Sequence, residues 1–155
     1  VLTLSRQAVL AWASQRKLLQ MSDSTVHAEL GEIPYTVNLS AGVHQWLADE
    51  NQALGGHDTG PNPHQLLLSA LGACTAITLS MYAKRKEWPL QHVHVQLDIV
   101  KEEKTTPMRT EIKRVIELHG DLDAAQRERL LGIANACPVH KLLSGSIVID
   151  SQLSD

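Results

Sequence analysis

Two cysteines, Cys74 and Cys137, are the residues of this chain best suited to covalent chemistry. A thiolate is a strong nucleophile, and two thiols that meet can pass through a sulfenic acid to a disulfide and back. Their settings differ. Cys137 stands in Ala136-Cys137-Pro138-Val139-His140, where Pro138 suits the first position of a helical turn. That puts Cys137 at an N-cap, where free backbone N–H groups stabilise a thiolate. His140, three residues on, falls within hydrogen-bonding reach. Cys74 lies about three turns inside an apolar helical stretch, beyond the range of the helix dipole. Taken alone it reads as a small core residue, and two inert buried thiols are the plain alternative. Cys137-x-x-His140 also has ligand spacing for zinc, but Cys74 and His64 would have to complete a Cys₂His₂ set. One short motif with the remaining ligands assumed is weak, and no metal is expected.

The elements that must position these residues are readable. Asn62-Pro63 offers an N-cap followed by Pro at the first helical position. From there to about Lys84, Leu67, Ala70, Leu71, Cys74, Ile77, Thr78, Met81 and Tyr82 recur at three- and four-residue steps, and Leu66, Leu68, Ala73 and Leu79 fill other faces. A helix apolar nearly all round is predicted to be a buried central helix. Before it, residues 26–30, 35–39 and 43–48 read as short strands of an antiparallel meander, with Gly-rich loop chemistry after them. After it, Val93, Val95, Leu97 and Ile99 alternate with polar residues as a half-buried strand. Residues 110–118 form its hairpin partner. Asp121 or Asp123 caps a helix ending near Ala136, and Ile147-Val148-Ile149 is predicted to be a final strand. The order implies an α+β fold, antiparallel sheets packed on a long buried central helix.

Composition sets the bounds. A length of 155 residues suits one domain, and 43% apolar with 20% charged residues is an ordinary globular balance. A net charge of -3 gives no reason to expect nucleic acid or an anionic membrane surface as partner. Phe is absent, so the core must be aliphatic. Two cysteines are too few for a secreted disulfide scaffold, and no apolar run is expected to approach the roughly 20 residues of a membrane span. Residues 1–20 contain Arg6, Arg16 and Lys17 and no acidic residue. They are read as an extension upstream of a natural start at Met21, with an organelle presequence or a docked helix as the alternatives. Residues 21–155 are then a single domain.

Two stretches carry a family likeness. Gly55-Gly56-His57-Asp58-Thr59-Gly60-Pro61-Asn62-Pro63-His64-Gln65-Leu66-Leu67-Leu68-Ser69-Ala70-Leu71-Gly72-Ala73-Cys74-Thr75-Ala76 resembles the OsmC/Ohr signature, a Pro-led helix reaching its cysteine through small residues. Met81-Tyr82-Ala83-Lys84-Arg85-Lys86 and Trp88-Pro89-Leu90 are similar to one OsmC-like branch, and Ala136-Cys137-Pro138-Val139-His140-Lys141 resembles the second family cysteine. The resemblance spans residues 26–152. It implies an intertwined homodimer in which Cys74 and Cys137 of one subunit face each other at the interface. In peroxide-reducing members the first cysteine, here Cys74, attacks the distal peroxide oxygen and becomes a sulfenic acid. The second, here Cys137, condenses with it to a disulfide that an external dithiol reduces.

The chain departs from that pattern. Active members place a Glu ten residues before the first cysteine, where this chain has His64, and an Arg in the N-terminal strand region. No Arg or Lys stands between Met21 and Cys74. Arg85, Arg109 or Arg114 could substitute, although nothing in the sequence places them. Asp49-Glu50 is similar to an acidic pair common in the branch and reads as a turn feature, with Glu50 a supporting candidate.

Three functions are weighed. The first is a thiol-dependent organic hydroperoxide reductase of the antioxidant stress response, Cys74 attacking, Cys137 resolving, His64 or His140 assisting, with no cofactor. The second is a non-peroxidase member binding a small apolar or thiol-reactive ligand at the dimer interface. The third is the Cys/His metal site. A homodimer is expected under the first two, because the central helix is apolar on more faces than one small subunit covers. A cytoplasmic location, with its reducing conditions, suits a cycling thiol pair.

Overall fold

The computed structural model describes residues 25–154. The expectations for residues 1–20 and for a start at Met21 lie outside them. The chain forms two compact units, meeting in sequence between Leu66 and Leu67.

In the first unit, β1 (His27–Leu30), β2 (Val37–Ala41) and β3 (His44–Ala48) pair antiparallel in that order, the meander expected from the sequence. The β2–β3 connection is two residues long, and Gly42 takes the left-handed backbone such a hairpin requires, at φ 58°. The chain leaves β3 at Asp49, whose side chain organises the loop beyond the strand. Its carboxylate accepts the N–H of Glu50 at 2.8 Å, of His57 at 3.2 Å and of Thr59 at 3.1 Å, and the Thr59 hydroxyl at 2.7 Å. A buried anion needs such donors, and four of them wrap residues 50–59 around one side chain. The Asp49-Glu50 pair is therefore a structural anchor through its first member. Asn62 then caps the long helix α1 (Pro63–Arg85) reciprocally with Gln65, each side chain accepting the other's N–H at 2.9 Å.

In the second unit, β4 (Leu90–Glu103) and β5 (Arg109–Gly120) make a two-stranded antiparallel hairpin. Helix α2 (Ala124–Ala134) opens on Asp123, not Asp121, through a capping box with Gln126. Arg127 fastens the turn from β5 into α2 by donating to the carbonyls of Leu118, Gly120 and Leu122. Leu79 and Ala83 of α1 pack with Leu122, Leu130 and Ala134 as the core, with Val93, Ile116 and Leu118 of the hairpin against it. Short α3 (Pro138–Leu143) comes next, with Cys137 as its N-cap.

Three expectations need correction. Helix α1 is not buried all round: Leu71, Thr75, Leu79 and Ala83, one residue in four, make its single buried stripe. The neighbouring stripe read from the sequence stays open, with Leu67, Ile77 and Met81 exposed at 42%, 59% and 68%. One chain covers one face only. Second, α1 is long and apolar enough to cross a membrane by length and composition, because Gly, Ser and Thr interrupt its apolar run without lowering its mean hydropathy much. Third, residues 147–149 form no strand; they are exposed and hydrogen-bonded to no ladder. A run of β-branched residues makes a strand only where an edge accepts it.

The Asp49 anchor has a pH signature. The Thr59 hydroxyl, opposed by burial and helped by the N–H groups of Thr59, Glu50 and His57, lowers its carboxyl from 3.8 to about 2. A depressed carboxyl stabilises the fold above its unfolded value, and that contribution is lost as pH falls from 3.8 toward 2. Asp49→Asn is expected to melt below the parent at pH 6, with the gap closing toward pH 2. Thermal melts across that range check it, and a gap independent of pH contradicts the anchor.

Candidate thiol site

Both sulfurs are free and meet at the start of α3. Pro138 cannot continue the hydrogen bonding of α2, so the chain breaks at residues 135–137 and restarts with the first N–H groups of α3 unpaired within it. Those groups find sulfur. The N–H of Val139 donates to Cys74 Sγ at 3.5 Å, and the N–H of His140 donates to Cys137 Sγ at 3.4 Å. Two consecutive backbone donors thus hold two sulfurs from positions 63 residues apart in sequence.

Burial differs between the pair. Cys137 is fully buried, whereas Cys74 is partly accessible. Burial pushes the Cys137 thiol up. Against it act the His140 N–H, the Thr75 hydroxyl, the Cys74 thiol and the charge of Arg114, which together leave it below the ordinary thiol value.

Thr75, Arg114 and Asn135 complete the cluster, and the sequence reading did not place them. Thr75 follows Cys74 on the buried stripe of α1; its hydroxyl donates to the Leu71 carbonyl at 2.7 Å and lies 3.9 Å from Cys137 Sγ. Arg114 donates from Nη1 to Thr75 Oγ1 at 2.9 Å and from Nη2 to Asn135 Oδ1 at 2.8 Å, spanning α1 and the C-cap of α2. A signal for Arg114 existed. In β5 the half-buried positions run Ile112, Arg114, Ile116, Leu118, so a guanidinium stands where alternation calls for an aliphatic side chain. Of the other arginines considered, Arg85 lies 5.2 Å over the Tyr82 ring and Arg109 pairs with Glu111 at 3.0 Å.

Among the other candidates, His140 joins the cluster through its backbone N–H, and its side chain lines an adjoining cavity of about 380 Å³ with Arg114, Asn135, Leu71, Ile112 and Leu131. His64 and Glu50 belong to the first unit; His64 is in the first turn of α1 and Glu50 is in the loop around Asp49. Among the described residues no three His, Cys, Asp or Glu side chains gather as a metal-ligand set, so Cys137-x-x-His140 is not completed as a Cys₂His₂ site.

Comparison with known proteins identifies the family and the fold. The family profile described as OsmC-like protein matches residues 56–152, a stretch that includes both cysteines. No curated protein sequence matches the chain at a significant level. Among solved structures, the fold is similar to an OsmC-like protein from Mycoplasma pneumoniae (21% identity, TM-score 0.67, covering 78% of this chain and 86% of the other). It is also similar to an organic hydroperoxide resistance protein OsmC from Legionella pneumophila (21% identity, TM-score 0.59, 78% and 88% covered). The organic hydroperoxide resistance protein OhrB of Bacillus subtilis matches likewise (23% identity, TM-score 0.55, 78% and 90% covered). With its α+β fold and a profile match over most of its length, the chain belongs to the OsmC-like family.

Proposed function

We propose that the protein is a thiol-dependent organic hydroperoxide reductase. The observation that carries the reading is the meeting of two free sulfurs under two adjacent N–H donors. The partly accessible Cys74 takes the attacking role. Its thiolate displaces alkoxide from the distal peroxide oxygen and becomes a sulfenic acid, and the alkoxide is protonated to the alcohol. Cys137, buried beside it, attacks the sulfenic sulfur and expels hydroxide, which leaves as water. A resolving thiol served by the neighbouring backbone donor traps the sulfenic acid before further oxidation. An external dithiol closes the cycle, and a reducing cytoplasm is the compartment that suits it. Names of the Legionella and Bacillus relatives point to the same substrate class.

The working unit in this proposal is a homodimer of residues 21–155, each subunit a single domain. Two features ask for a second copy: the open stripe of α1 at Leu67, Ile77 and Met81, and residues 147–149, which have strand composition and no edge. Light scattering at micromolar concentration is expected to give twice the chain mass; the mass of one chain would remove the dimer. The solved relatives cover 78% of this chain, more than its second unit holds, which supports one domain across both units.

A second reading is favoured by the cavity beside Arg114 and His140, whose polar end and aliphatic walls suit a small ligand without thiol chemistry. One experiment separates the two. Anaerobic thiol titration after one equivalent of cumene hydroperoxide is expected to find both thiols consumed within minutes. Cys137→Ser is expected to lose its remaining thiol and, with excess peroxide, to accumulate sulfinic acid on Cys74. Retention of both thiols in the parent would leave only ligand binding.

A further inference from the structure

The geometry points to Arg114 as the positioning residue of the thiol pair: through Thr75 it stabilises negative charge on Cys137 whenever that sulfur is deprotonated, and so makes Cys137 the sulfur expelled when the disulfide is opened at Cys74. The first half stands on contacts alone. The second rests on the thiol cycle proposed above.

Arg114 comes from β5, Thr75 from α1 and Cys137 from the junction of α2 with α3, so three elements converge on one sulfur. Arg114 directs Nη1 to the Thr75 oxygen at 2.9 Å. A hydroxyl whose oxygen accepts from a cation becomes a better donor, since chained hydrogen bonds polarise one another. That hydroxyl, which donates to the Leu71 carbonyl at 2.7 Å, lies 3.9 Å from Cys137 Sγ and can turn its hydrogen to the sulfur when the sulfur is negative. Nη2, fixed on Asn135 at 2.8 Å, prevents the guanidinium from swinging away into the adjoining cavity. Among the described residues, the other titratable groups that face Cys137 are the Cys74 thiol from α1 and His140 from α3, the latter through its N–H. Arg114 is the only permanent cation in that set, and its charge lowers the Cys137 thiol.

The consequence is directional. In a Cys74–Cys137 disulfide, an incoming thiolate of a dithiol reductant bonds to one sulfur while the S–S bond breaks and its electron pair goes to the other. Cys137 is fully buried and Cys74 is not, so attack falls on Cys74. The departing charge lands on Cys137, where the His140 N–H, the Thr75 hydroxyl and Arg114 receive it. A leaving thiol of lower pKa leaves faster. The reductant's second thiol then attacks its own sulfur in the mixed disulfide, releasing Cys74 reduced and the reductant as a cyclic disulfide.

The test uses the full chain. In a Cys74→Ser background, where Cys137 is the single thiol, thiolate absorbance is followed against pH. Arg114→Gln is expected to raise the midpoint and diminish the thiolate present at neutral pH, and Arg114→Lys to restore part of it. Thr75→Val is expected to act like Arg114→Gln, whereas Thr75→Ser keeps the hydroxyl and the parent midpoint. A titration that Arg114→Gln and Thr75→Val leave unmoved, even with lowered melting temperatures, makes Arg114 a merely structural residue and overturns the first half. If Arg114→Gln does not fold, the Lys and Thr75 variants decide. With both cysteines restored and oxidised, reduction by dithiothreitol is expected to slow about threefold in Arg114→Gln. Trapping with a monothiol should yield an adduct on Cys74 by mass spectrometry, and an adduct on Cys137 overturns the second half. None of these readouts uses a peroxide, so a failure here is distinguishable from a failure of the hydroperoxide reading.

Discussion

A sulfur atom is a weak hydrogen-bond acceptor, and the site depends on two such acceptors being served by adjacent backbone donors. Pro138 makes this possible by breaking the helical run that would have used those N–H groups internally. The donors are backbone groups, so no substitution at residues 139 or 140 other than proline removes them directly. The demand falls instead on placement elsewhere: α1 must present Cys74 and Thr75 on neighbouring faces, and the hairpin must set Arg114 against both α1 and the end of α2. Arg127, binding three carbonyls at the turn into α2, and the core around Leu79 and Leu130 hold those elements in register.

Electrostatically, the site draws its cation from an unexpected direction. Members of the resembled pattern bring an arginine from the N-terminal strands, and this chain has neither Arg nor Lys between Met21 and Cys74. The guanidinium at the thiols instead reaches in from β5. It approaches Cys137 through a hydroxyl and ties down the cap of α2 at the same time. Binding Thr75 and Asn135 leaves Arg114 less able to serve as a mobile gate than as a fixed part of the scaffold.

Much of this was legible in the residues. Asn62-Pro63, Asp123 and Cys137-Pro138 announced three helix starts because capping is local chemistry, decided within four residues. Strand alternation announced the β4–β5 hairpin for the same reason. What local chemistry does not reveal is covering. The all-round apolarity of α1 predicted burial, but the chain itself supplies cover for the stripe through Leu71, Thr75, Leu79 and Ala83 and leaves the Ile77–Met81 side open. Residues 147–149 failed as a strand for a related reason, since pairing depends on an edge and not on composition. Arg114 stood as one of three possible substitutes without a place, because its meaning is a tertiary contact, although its position in an aliphatic row was visible. Asp49, read as a turn feature, proved to be the centre of its loop; an acidic residue after a strand carries no mark of how many donors will surround it.

Thr75 has one hydroxyl hydrogen and two neighbours able to take it, the Leu71 carbonyl and Cys137 Sγ. In the proposed thiol cycle a negative sulfur would draw that hydrogen, and a disulfide would return it to the carbonyl. The middle of α1 would then tighten or loosen one turn of its own backbone in step with electrons stored a side chain away. Infrared bands of that carbonyl, or amide exchange along the turn, would report the oxidation state of the protein without touching either cysteine.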